Sequence, residues 1–103
     1  MGNRPTQTNK KLSEADLKSK LYFEDLRIRR KAQFELVKRG KKGAEIFKQV
    51  IQDKSNQIAR IHGILGLSQL GRLNDMSMAD PLVSLLKDSD PEIQAQAAKW
   101  LGD

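Results

Sequence analysis

From residue 13 onward the apolar positions of this chain recur at three- and four-residue steps, the spacing of helices that bury one face. Ser13, followed three residues later by Asp16, reads as a helix start, and Leu17, Leu21 and Tyr22 continue it. A second helix is predicted over 25–39, with Ile28, Ala32, Phe34 and Leu36 apolar and Gly40 as its stop. A third, over 43–53, carries Ile46, Phe47, Val50 and Ile51 on one face. Asn56 caps a fourth, over 57–71, which is apolar nearly all round through Ile58, Ile61, Ile64, Leu65, Leu67 and Leu70. Such a helix belongs between neighbours, and its Gly63 and Gly66 predict close backbone approach, since each glycine otherwise costs about 1 kcal/mol of helix propensity. After a loop at 74–77, a fifth helix is predicted over 78–87, with Leu82, Val83, Leu85 and Leu86 apolar and Pro81 in its first turn. Asp90 and Pro91 open a sixth that runs to 102. No alternating run reads as a strand, so the fold class is all-α. Residues 1–12 are too polar to repay ordering and read as a flexible linker ahead of a helical domain over 13–103.

The second, fourth and sixth helices superpose in sequence without gaps. Asp25, Asn56 and Asp90 share the cap. Behind it follow Ile28, Ala59 and Ile93, then Arg29, Arg60 and Gln94, then the small residues Ala32, Gly63 and Ala97, and finally Leu36, Leu67 and Leu101. The preceding helices also align: Phe47, Val50, Ile51 and Asp53 match Leu82, Leu85, Leu86 and Asp88. The repeating unit is therefore a helix pair, with approximate repeats at 13–40, 43–71 and 78–103.

A cap aspartate, an apolar residue, an arginine, a small residue and a leucine, behind a leucine-rich helix that ends in aspartate, resemble the HEAT repeat. The resemblance implies an α-solenoid of about three helix pairs in which Asp88 and the arginine column tie successive repeats together. Gln94 departs from that column, while Arg60 keeps it. More narrowly, the stretches NQIARIHGILGLSQLGR and ADPLVSLLKDSDPEIQAQAAKWLGD are similar to the HEAT segment of large bacterial membrane-bound dehydrogenases that also carry a β-propeller and a c-type haem domain. That resemblance implies a periplasmic or exported parent. It assigns no dehydrogenase residue and no cofactor here, because the haem motif is missing and the chain is too short for a propeller. The last helix stops at 102–103 with no polar capping repeat after it, which reads as a piece of a longer chain.

Composition narrows the chemistry. With no cysteine, thiolate metal sites, disulfides and a cysteine nucleophile are excluded. No apolar run is long enough to insert in a membrane. The net charge of +6 is lopsided: residues 1–54 hold 15 Lys and Arg against 7 Asp and Glu, and residues 55–103 hold 4 against 6.

Three kinds of candidate residue follow. In the repeat register a stripe of mostly polar residues that do not repeat in type is expected to be an exposed face: Lys31, His62 and Gln96, then Glu35, Gly66 and Trp100, then Lys38, Gln69 and Asp103. Helical solenoids use such inner faces to contact protein partners. Trp100 reads either as an anchor for a partner or as packing for a following repeat. His62 is the sole histidine, and no carboxylate pattern converges on it, so neither catalysis nor metal binding is assigned. The alternative partner is nucleic acid, met by the basic cluster Arg27, Arg30, Lys38, Arg39, Lys41 and Lys42, although no aromatic residue reads as interleaved with it. The function expected is a non-catalytic scaffold that presents a contact surface.

Overall fold

A computed structural model describes residues 12–102 of the chain, and within them every regular element is helical. The elements are α1 (Glu14–Lys20), α2 (Leu26–Lys38), α3 (Lys41–Ile51), α4 (Gln57–Leu73), a 3-10 segment (Met76–Lys87) and α5 (Pro91–Gly102). The expected linker over 1–12 lies outside the described residues except for Leu12, and so does Asp103.

Local side-chain chemistry starts most of these helices where the sequence places them. The Ser13 hydroxyl accepts from the Asp16 amide at 3.0 Å while Asp16 accepts from the Ser13 amide at 3.3 Å, a reciprocal capping box. Asp25 caps α2 through the Arg27 amide, and Asn56 caps α4 through the Ala59 amide. Gly40 ends the α2 turn at a φ of 59°, which a side chain would resist. At α5 the Asp90 carboxylate accepts from the Glu92 amide.

The fifth element differs from expectation, being a 3-10 helix rather than an α-helix. Its start is set two residues earlier, by Asp75, whose side chain accepts from the Ser77 amide. Pro81 therefore falls well inside the segment, not in its first turn. There it has no N–H to give an i→i−4 bond, and its ring crowds the carbonyl that bond would use. The tighter i→i−3 winding, begun by the Met78 amide on the Asp75 carbonyl at 2.8 Å, avoids that clash.

Extensive packing joins α1 and α2 to each other and to α3, α2 and α3 to α4, and α4 to both the 3-10 segment and α5. The core follows the same succession: Leu17, Leu21 and Leu36, then Phe47, Ile51, Ile64 and Leu67, then Leu70, Leu82 and Ile93, all buried. α4 is the centre of the molecule, as its apolar sequence implies, although Ile58 at its start remains half in solvent. Its glycines admit α3. A methyl group on Gly63 would sit 2.8 Å from Ile51 Cγ2, and one on Gly66 would fall within the Phe47 ring.

Candidate interaction surface

The arginine column of the repeat shows how the helices that carry the surface are held. Arg60, near the start of α4 and 2% exposed, donates from Nε to the Ile51 carbonyl at 2.7 Å. Its two terminal nitrogens donate to both oxygens of Asp88, at 3.1 and 2.6 Å. One side chain thus fastens the end of α3 and the end of the 3-10 segment to α4. Asp88 also accepts from the Asp90 amide, and these donors hold its carboxyl down at about 2.

The positions equivalent to Arg60 keep half of this geometry. Arg29 donates back to the Phe23 and Glu24 carbonyls at 2.6 and 2.8 Å, and Gln94 donates back to the Asp88 carbonyl. The cross-tie to an aspartate is made by Arg60. Asp53, the register equivalent of Asp88, is taken instead by the Tyr22 hydroxyl at 2.7 Å and by the Ser55 hydroxyl and amide.

Arg29 turns to His62. Its Nε donates to His62 Nε2 at 3.1 Å, so the ring proton sits on Nδ1 and is donated to Gln33 Oε1 at 2.8 Å. Gln33 in turn donates to Gln69 Oε1 at 2.8 Å. Four polar side chains are thereby strung across the contact between α2 and α4. Burial and the positive charges of Arg29 and Arg30 push the His62 pKa down to about 4, which keeps the ring neutral.

This network corrects the expected exposed stripe. His62 is buried at 6% exposure and Gly66 lies under the Phe47 ring. Lys31 and Lys38 are exposed, while Glu35, Gln69, Gln96 and Trp100 are half-buried. The stripe is open at α2 and closed where α4 is clasped by its neighbours. Both ring nitrogens of His62 are hydrogen-bonded within this network, Nε2 to Arg29 and Nδ1 to Gln33.

Trp100 packs at the edge of the core, its indole N–H donating to Gln96 at 3.1 Å. The Arg72 and Lys99 charges stand 5.2 and 5.1 Å from its ring centre. Gln96 is oriented in turn by Glu92.

The six basic candidates divide into three groups. Arg39 is structural: it bonds Glu14 at 2.8 Å and Glu35 at 3.4 Å. Lys41 and Lys42 line a groove of about 490 Å³ between α3 and the 3-10 segment, together with Glu45, Lys48 and Asp75. Arg27, Arg30 and Lys38 share the open side of α2 with Lys31. Phe34, expected among the apolar residues of that helix, is 54% exposed on the same side. An aromatic ring does therefore stand among the cations, and the sequence held the signal. Phe34 is two residues from both Ala32 and Leu36, which puts it across the helix from the face they bury.

Among the described residues no three side chains of metal-binding type come together, and no helix is long and apolar enough to cross a membrane. Compared with family models, curated proteins and solved structures, the chain gives no match.

Proposed function

We propose that this chain is a non-catalytic contact module: a short α-solenoid of HEAT-like helix pairs that presents a contact surface to a protein partner or to the neighbouring domains of a longer chain. The observation that carries the reading is the Arg60 clamp. It joins the carbonyl end of α3, the first helix of its own pair, to the aspartate that ends the first helix of the next pair, the tie that the repeat register assigns to that position. The back-bonding of Arg29 and Gln94 at the equivalent positions adds to it. The sole histidine is held between Arg29 and Gln33, which fits a surface used for contact. The narrower resemblance to the helical segment of bacterial membrane-bound dehydrogenases implies an exported parent for such a module. Its haem and propeller have no counterpart in these residues.

A stack in which each pair touches only its neighbours has a stability that is a sum of pair and interface contributions. Appending a second copy of residues 76–102 to the C-terminus is expected to raise the melting temperature within a single cooperative transition. A separate second transition, or an unchanged midpoint, would rule the stack out.

A further inference from the structure

We propose that the open side of α2 binds single-stranded nucleic acid, with Arg27, Arg30, Lys31 and Lys38 on the phosphates and the Phe34 ring as a stacking platform for a base. Arg27, Lys31, Phe34 and Lys38 follow one another at four-, three- and four-residue steps, so they form one line along the helix, and Arg30 flanks it. All five are exposed, the Arg27 side chain at 88% and Phe34 at 54%. The line runs about 17 Å at the usual helical rise.

Three of the four cations on this face carry uncompensated charge among the described residues. Arg27 pairs with Asp25 at 3.1 Å, their side chains 88% and 39% exposed, and Arg30, Lys31 and Lys38 make no ion pair among the described residues. Glu35, the one acid within α2, is engaged by Arg39.

The ring decides what kind of polyanion fits. A phenyl group ringed by cations suits a ligand that carries a flat apolar face between anionic groups, and an unpaired nucleotide is that ligand. A duplex keeps its base faces stacked inside, out of reach of Phe34. An acidic peptide answers the charges without offering a face to the ring. An anionic membrane would need a wider apolar area than one phenylalanine between arginines and lysines. The proposal rests on α2 alone and does not require the stacked-repeat reading.

The test is fluorescence anisotropy with the full chain and a labelled oligothymidine, titrated between 50 and 200 mM salt. A duplex of equal length, polyglutamate and phosphatidylserine vesicles serve as competitors. Binding is expected to favour the single strand and to weaken with salt as counterions are released. Phe34→Ala is expected to lower the affinity about five- to hundred-fold with the salt slope unchanged, because stacking is not ionic. Lys31→Glu with Lys38→Glu is expected to flatten the slope itself, separating this helix from Arg4, Lys10 and Lys11 near the N-terminus. Each changed residue is exposed, and helical circular dichroism on the same samples reports that the fold is kept. No binding at 50 mM salt, equal or tighter binding of any competitor, or wild-type affinity in a folded Phe34→Ala protein would overturn the proposal. If the appended helix pair fails to extend the stack, this outcome is untouched, so the two readings fail separately.

Discussion

Arg60 and Asp88 are 28 residues apart in the chain and meet through both guanidinium nitrogens and both carboxylate oxygens, with side chains 3% and 5% exposed. Taking two charges out of water is costly, and the remaining hydrogen bonds of each partner are what make the pair tolerable: the Ile51 carbonyl for Arg60 and the Asp90 amide for Asp88. The pair is therefore worth less than the damage of breaking it. Arg60→Met alone is expected to cost about 3–5 kcal/mol, because it strands a buried carboxylate. Changing Asp88→Leu in the same chain should restore a large part of that loss. Urea denaturation of the two single variants and the double variant measures the coupling; single-variant losses that simply add would contradict a shared buried tie.

Gly66 and Phe47 give a prediction opposite in sign to helix propensity. In an exposed helix, Gly→Ala stabilises by about 1 kcal/mol. Here the added methyl group would overlap the Phe47 ring, so Gly66→Ala is expected to destabilise by about 1–3 kcal/mol. Phe47→Leu combined with Gly66→Ala should be less damaging than the two losses added together, since the smaller side chain vacates the same space. Thermal melts of the three variants decide it.

The parts of this fold legible in the sequence are those decided within a few residues. Ser13, Asp25 and Asn56 announce their helices because a cap is a bond between a side chain and an amide two or three positions on. Gly63 and Gly66 announce close packing because nothing else recommends glycine in a helix. The 3-10 winding is not legible in the periodicity, because Pro81 reads as a first-turn residue while the cap is Asp75, six residues before it. The burial of His62 has a tertiary cause: Arg29, 33 residues away, and Gln33, 29 away, reach it from another helix, and no periodicity records that. Asp53 holds the repeat position of Asp88, yet it accepts from the Tyr22 hydroxyl just beyond α1, a contact the register does not record.

Tyr22 offers a direct probe of that contact, because it is the single tyrosine of the chain. Burial and the Asp53 carboxylate, which accepts its proton at 2.7 Å, push its pKa up to about 12. Ultraviolet titration of the folded protein should therefore show phenolate only near pH 12, with ionisation close to the ordinary 10 in urea. A raised folded pKa gives stability that is complete below pH 10 and lost as pH rises toward 12. Asp53→Asn removes the charge, and the phenolate should then appear at lower pH; an unmoved titration would mean that burial alone sets it.

His62 predicts a second pH window, on the acid side. Its folded pKa of about 4 lies below the ordinary 6.5, so as pH falls the unfolded chain takes up this proton first. Stability is then complete above about pH 6.5 and is lost between there and pH 4, at up to about 1.4 kcal/mol per pH unit. The structural cause is specific: a proton on Nε2 would face the Arg29 guanidinium, which donates to that atom in the neutral state, and Arg30 adds repulsion from the same helix. Asp88 cannot account for a loss in this range, because its own depressed carboxyl acts only between about 3.8 and 2. Urea unfolding free energies measured from pH 7 to pH 5, above the range where Glu14 and the capping aspartates titrate, should fall in the wild type and much less in His62→Gln, whose amide does not titrate. Equal slopes in the two proteins would show that the ring is not neutral by constraint, and that the polar string between α2 and α4 survives protonation.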